Sequence, residues 1–249
     1  MWWIWIIIAL VVICAAATIG IYLFTFHYPK KNHTDDFHYT DSPLAQPYKE
    51  QVHALIREFQ KRPFERVETT SFDGLKLSGR YYETSEVAPV FICFHGYKST
   101  AFKDFCAMGQ YLLDHGCNVL LCDQRSHGES DGRVISFGIN ERHDVESWCS
   151  FAERRFGPVP YYLMGVSMGA ATVLLSADLD LPKTLRGILA DCPYASPRDI
   201  IVTVAGTMHI PAWTLVFALI GAKLFGNFSL IKISAVDTVS RSKVPVIII

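Results

Sequence analysis

Tyr161-Tyr162-Leu163-Met164-Gly165-Val166-Ser167-Met168-Gly169-Ala170-Ala171-Thr172-Val173-Leu174-Leu175 decides how this chain is read. An apolar run leads into Gly-x-Ser-x-Gly, and a helix-forming run leads out of it. That order predicts a strand, a sharp turn and a helix, with Ser167 at the turn. The flanking glycines permit a strained backbone that lifts the serine hydroxyl to the head of a parallel sheet, within reach of a base and an incoming acyl group. Ser167 is therefore the expected nucleophile.

Outward from this stretch the pattern alternates. Apolar strands are expected at 90–94, 118–122, 160–164 and 186–190, with helices at about 102–115, 140–156 and 168–179 between them. Interleaved strands and helices predict a parallel sheet covered on both faces. The unbroken apolar runs Val90–Phe94 and Val119–Cys122 fit strands buried on both sides. In such sheets ligands bind beyond the carboxyl ends of the strands. That directs attention to His95-Gly96-Tyr97, Asp123–Ser130, Ser167 and Asp191. Upstream, Asp73-Gly74 between Val67–Phe72 and Leu75–Tyr82 predicts a hairpin. Val52, Leu55, Ile56 and Phe59 form one helical stripe that Pro63 ends.

Residues 196–231 break the alternation. Their apolar stretch Ile200–Ile220 is too divided by Pro211 to span a membrane, and a span there would separate a strand from its sheet. A helical lid over the active-site end is expected instead.

The ordered set Phe94-His95-Gly96-Tyr97, Asp123-Gln124-Arg125-Ser126-His127-Gly128-Glu129-Ser130, Gly165–Gly169 and Ala190-Asp191-Cys192-Pro193-Tyr194 resembles the α/β-hydrolase superfamily. The likeness is particularly to its bacterial membrane-anchored hydrolases of lysophospholipase-like and prolyl-oligopeptidase-like kind, over roughly residues 65 to 249. The resemblance implies an α/β fold with a mostly parallel, doubly wound sheet and a helical lid. It implies that Ser167 attacks an acyl carbon while the backbone N–H groups of Tyr97 and Met168 hold the oxyanion, each such donor worth about 3 kcal/mol. Arg125 and Asp123 would brace loops. Substrates would be carboxylic esters or thioesters with apolar acyl groups; a prolyl-oligopeptidase-like peptidase and a non-catalytic tethered binding module are the alternatives.

A serine nucleophile needs a histidine base oriented by a carboxylate, and in this fold the chain order is Ser, acid, His. After Ser167 only His209 follows, inside the expected lid, where local packing is the simpler role. His95 and His127 precede the serine at motif positions of structural kind. Asp191 is an alternative acid, although its surrounding Asp-Cys-Pro-Tyr matches a subgroup whose acid lies later. The chain stops at Ile249, inside the strand Val244–Ile249, before the loop in which the family carries its acid and histidine. The expectation is thus a fragment of a longer reading frame, missing its last strands and helix, or an inactive protein. Ile247, Ile248 and Ile249 should form an uncovered apolar edge.

Composition sets the outer bounds. Half of the 249 residues are hydrophobic and the net charge is −1, which gives no electrostatic bias toward nucleic acid. Trp2 to Phe26 carries no charge, and at about 1.5 Å per residue it exceeds the roughly 30 Å of a bilayer's hydrocarbon core. Tryptophans at one end and Tyr22 and Tyr28 at the other suit the headgroup zones. A signal peptide would start basic, carry a shorter apolar core and end in a small-x-small site, none of which is present. The expected organisation is a single-pass anchor over 1–28, contacting membrane through residues 2–26, a polar linker over 29–47 and the hydrolase domain over 48–249. Lys30 and Lys31 lean toward a cytoplasmic domain. The seven cysteines lack metal-ligand or framework spacing, and Cys93, Cys122 and Cys192 read as small core residues. No cofactor or metal is expected: Walker, G-x-G-x-x-G and H-E-x-x-H patterns are missing.

Overall fold

The computed structural model describes residues 1–29 and 46–249. Most of the stretch expected to act as a linker, with Lys30 and Lys31, lies outside the described residues. A long apolar helix α1 (Trp2–Thr25) opens the chain, and α2 (Lys49–Gln60) buries its stripe residues Ile56 and Phe59. A hairpin of β1 (Glu65–Thr70) and β2 (Lys76–Tyr82) turns through Gly74, at φ 86°. β3 (Val90–Phe94), α3 (Ala101–Asp114), β4 (Asn118–Cys122), α4 (Glu141–Phe156), β5 (Tyr161–Val166), α5 (Met168–Leu175) and β6 (Leu185–Asp191) then alternate as the sequence predicts. α6 (Pro197–Thr207), α7 (Leu215–Phe225) and the short α8 (Ala235–Val239) precede the last strand, β7 (Val246–Ile248).

The seven strands lie in the order β1-β2-β4-β3-β5-β6-β7. The hairpin joins β4 antiparallel through β2, and β4, β3, β5, β6 and β7 run parallel. β3 and β5 sit at the centre because their residues are apolar on both faces. Ile92 and Leu163 point to one packed layer with Trp148 and Val173, while Cys93 and Met164 point to the other, with Phe59 and Phe105. The two layers are what make the sheet doubly wound.

Three sequence expectations need amendment. α5 stops at Leu175 instead of running to about 179, because Ser176 turns its hydroxyl back onto the Val173 carbonyl and a turn follows. Cys192 is exposed, in contrast to the buried Cys93 and Cys122. It lies one residue past β6 with φ at 45°, and this left-handed turn carries it off the sheet. The last strand is three residues long, with Pro245 before it, instead of running over Val244–Ile249, while Ile247, Ile248 and Ile249 are exposed as expected. All seven cysteines are free thiols.

Residues 196–231 fold as two short helices. Ser196 caps α6 by accepting from the Asp199 amide, with Pro197 in the first turn. α6 ends where His209 adopts φ 57°, and Pro211 starts the 3₁₀ turn (Ala212–Thr214) that leads into α7. Each helix has 11 residues, and among the described residues α1 alone is long and apolar enough to cross a membrane.

Candidate active site

The turn after β5 is strained where the sequence places its serine. Ser167 has φ 52° and ψ −111°, a conformation a side chain adopts only when its surroundings enforce it. Two close approaches enforce it here. A Cβ on Gly169 would overlap the Phe94 carbonyl, and one on Gly165 would overlap the Gly169 backbone. Glycine at both positions lets α5 start hard against the end of β3. The Ser167 amide donates to the Asp191 carbonyl (2.9 Å), and the Ser167 carbonyl accepts from the Ala171 amide (3.0 Å), opening α5. Met168 therefore stands in the first turn, where an amide has no upstream helical carbonyl to meet.

The second loop of the site follows β3, and it is fixed by a carboxylate. Asp104 Oδ2 accepts from the Gly96 amide (2.7 Å) while Oδ1 accepts from the Ser99 hydroxyl (2.5 Å). Lys98, at φ 53°, donates its amide to His127 Nε2 (3.1 Å). Between these two engaged amides, the Tyr97 N–H has no acceptor among the described residues. Gly96 brings the loop against the serine, since a Cβ there would lie 3.5 Å from Ser167 Cβ. The Tyr97 and Met168 amides expected to serve an oxyanion thus belong to the loop after β3 and to the first turn of α5, which meet at Ser167.

Both motif histidines are wired into this floor. His95 Nε2 accepts from the Gln124 amide (3.1 Å) and its Nδ1 donates to the Gly96 carbonyl (2.8 Å). His127 Nε2 accepts from Lys98, and its Nδ1 donates to the Arg125 carbonyl (2.9 Å). Acceptance at Nε2 fixes the proton at Nδ1 in each ring, and the rings meet edge to face at 4.8 Å. Both nitrogens of each ring are thereby engaged with backbone groups. Beneath them Arg125 is buried in a bidentate pair with Asp144 (2.6 and 2.7 Å) and a second pair with Asp73 (3.0 Å). Burial pushes the Asp144 carboxyl up to about 6 against the downward pull of the Arg125 hydrogen bonds.

Of the other histidines, His209 is exposed just past α6 and His143 meets Phe72 and Glu146 on α4. Asp191 ends β6 beside Val166, in register with the serine strand, and is half-buried. Among the described residues no histidine lines the cavity that Ser167 faces, and no cluster of three His, Cys, Asp or Glu side chains has the disposition to hold a metal.

That cavity has a volume of about 440 Å³, within the roughly 300–1,000 Å³ of small-molecule sites. Ser167, Met168, Tyr97 and Phe137 form its floor. Phe137 is placed by Glu141, whose buried carboxylate accepts from the Ser136 and Gly138 amides (2.8 and 2.9 Å), and its ring stacks on Tyr97 at 5.2 Å. The cover is apolar: Ile200, Ile201 and Val204 from α6, Met208 just past its end, Leu215 and Ala218 from α7. Among the described residues Lys98 is the one charged side chain lining it, its ammonium 4.9 Å from the Tyr97 ring centre. Tyr194 also lines the cavity, and its buried hydroxyl has no hydrogen-bond partner among the described residues. Burial pushes that phenol well above its ordinary range.

The sequence reading missed one wall altogether. Ile21, Phe24 and Thr25 of α1 line the cavity, although this helix reads as an anchor only. The available signal is the trio Ala218, Gly221 and Ala222, small residues three and four apart in an apolar helix, a spacing that lets a second helix approach closely.

Comparison with known proteins agrees with this geometry. The chain is 27% identical over 194 residues to the uncharacterized protein YqkD of Bacillus subtilis, matching 75% of this chain and 63% of that protein. It is 28% identical over 144 residues to the thiohydrolase aneE of Aspergillus aculeatus, covering 56% of this chain and 44% of that one. The chain thus spans less than two thirds of the length of these curated relatives. Among solved structures, a Pyrococcus furiosus esterase superposes with a TM-score of 0.61 at 21% identity, over 89% of this chain and 76% of its own, which shows a shared α/β-hydrolase fold. The family model described as serine aminopeptidase, S33, matches residues 85–245, which hold β3 to α8 together with the Ser167 turn and the His95 loop, and the chain belongs to that family.

Proposed function

We propose that this protein is a membrane-anchored serine hydrolase that cleaves carboxylic esters or thioesters with apolar acyl groups. The observation that carries the reading is the strained Ser167 at the mouth of β5, facing an apolar cavity, between the Tyr97 loop and the first turn of α5 that begins at Met168. Ser167 Oγ attacks the acyl carbon, its proton passes to a base, and the carbonyl oxygen becomes an oxyanion between the two amides. The start of α5 adds its positive helix end to that stabilisation. Among the described residues no histidine lines the cavity, and Asp191, in register beside the serine strand, is the alternative acid.

α6 and α7 act as the lid in this reading, and α1 as the anchor. That Tyr22, Phe26 and Tyr28 are buried against the domain supports a retained helix, because a cleaved leader would take some of the core with it. Likeness to an esterase and a thiohydrolase supports acyl transfer to water. The family description names an aminopeptidase, which would need an acidic group for the substrate's α-ammonium. The lone charge lining this cavity among the described residues is the cationic Lys98, so the ester reading is favoured.

A fluorophosphonate probe tests the proposal. The wild-type chain should be labelled, and Ser167→Ala should not. Labelling that survives Ser167→Ala removes the serine from its role. No labelling of the wild type, with ligand binding intact, favours a tethered binding module.

A further inference from the structure

We propose that the last turns of α1 are a working wall of the Ser167 cavity, and that the cavity takes the acyl chain of a single-chain amphiphile sideways from the bilayer. The inference deepens the hydrolase proposal and rests on its reading of α1 as a membrane span.

The end of α1 is built into the domain. A Cβ on Gly221 of α7 would lie 2.9 Å from Tyr22 Cβ and 3.4 Å from the Thr18 carbonyl oxygen, so the two helices touch through a residue without a side chain. Ala218 and Ala222 are buried in the same seam. Beyond the helix the backbone is clamped to the domain: the Tyr28 amide donates to the Arg133 carbonyl (2.8 Å) and the Ile135 amide to the Phe26 carbonyl (2.9 Å). Phe26 is fully buried, its ring 5.9 Å from Phe137 and 5.3 Å from Phe228. The Tyr97 hydroxyl donates to the Thr25 carbonyl at 3.3 Å, tying α1 to the oxyanion loop itself.

The mouth of the cavity is apolar and open. Phe24, Val204 and Met208 line the cavity and are also 61%, 46% and 49% exposed, so they form a rim shared by α1 and α6. Phe24 stands one residue from the end of a 24-residue helix, about 36 Å long at 1.5 Å per residue. Against a hydrocarbon layer of roughly 30 Å, this puts the rim where acyl chains give way to headgroups. Val216, Ile220 and Leu224, four residues apart on α7, are exposed beside the span and face the same surroundings. An amphiphile in that leaflet can slide its chain past Phe24 and Met208 while its ester stays level with Ser167. The chain never crosses water. An acyl donor arriving from solution would meet the same rim, and the experiment separates the two sources.

The full chain is reconstituted in phosphatidylcholine vesicles with a lysophosphatidylcholine bearing a diazirine at its acyl terminus, irradiated, and mapped by peptide mass spectrometry. Labelling is expected at Phe137, Met168 and Tyr194, which a chain reaches only from inside the cavity, in addition to background labelling along the exposed length of α1. Gly221→Leu, which forces α1 off α7, should lower the interior labelling at least tenfold and leave the α1 background unchanged. Ala205→Trp, which fills the cavity from α6, should do the same without parting the helices, and circular dichroism of both variants establishes that they fold. A soluble diazirine ester of short chain, supplied without vesicles, should label the interior of wild type at least tenfold less. Interior labelling absent from wild type, untouched by both variants, or equal from solution and from vesicles overturns the proposal. Ser167→Ala should keep the interior photolabelling. If photolabelling behaves as expected while fluorophosphonate fails on wild type, the hydrolase reading fails and the lipid site stands.

Discussion

The floor and the cover of the Ser167 cavity are built on opposite principles. The floor is a lattice of directional bonds: Asp104 holds the Gly96 loop, His95 holds Gln124, His127 holds Lys98, and Arg125 pairs with Asp144 and Asp73. The cover formed by α1, α6 and α7 lines the cavity almost entirely with aliphatic and aromatic side chains. Directional bonds fix atoms to tenths of an ångström, as a reaction at one carbon requires, whereas apolar contact discriminates by size and area. The same cavity therefore combines a rigid floor with an adaptable cover.

Substitutions on the two sides should differ in kind. The largest effect belongs to Gly169→Ala, whose methyl would overlap the Phe94 carbonyl at the point where α5 abuts β3. Its expected cost is about 3 kcal/mol, at the upper end of overpacking penalties, read as a fall in the chemical-denaturation midpoint; a change below about 0.5 kcal/mol would mean the floor is softer than its bonding indicates. His95→Phe keeps the ring and removes its hydrogen bonds, leaving the buried Gln124 amide without its acceptor. A loss of about 1–3 kcal/mol is expected, and no loss would show that the histidine wiring is ornamental to stability. On the cover, Met208→Ala changes a half-exposed rim residue. Stability should move by no more than about 0.5 kcal/mol, while labelling of Ser167 by a branched alkyl fluorophosphonate relative to a linear one should rise about threefold, as expected when a pocket wall gains room. An equal effect of all three on stability, with no change in selectivity, would erase the distinction between the two sides.

Most of the floor is legible in the one-dimensional pattern because each of its pieces is local. Gly165, Ser167 and Gly169 stand within five residues, and His95-Gly96-Tyr97 follows directly on an apolar run; their steric demands are met by neighbours in the same turn. The hairpin at Asp73-Gly74 and the alternation from Val90 to Asp191 are legible for the same reason. Cys192 misleads because its neighbours are strand-like and its own left-handed backbone, which sends it outward, leaves no mark in composition. α5 ends early through one side-chain hydrogen bond from Ser176, a choice invisible to periodicity.

The cover is where sequence is least informative. The run Trp2–Phe26 determines by itself an apolar helix of membrane-spanning length, and Pro211 by itself determines that the later apolar stretch is cut in two. Whether those pieces touch is a different matter, because apolar surfaces carry no address and any of them can pack against any other. Only the tertiary structure decides that Tyr22 lies on Gly221 and that Ile21, Phe24 and Thr25 close the cavity beside Ser167. Nearest-neighbour chemistry along the chain wrote the floor of this cavity; long-range packing, which depends on where whole helices come to rest, made its cover.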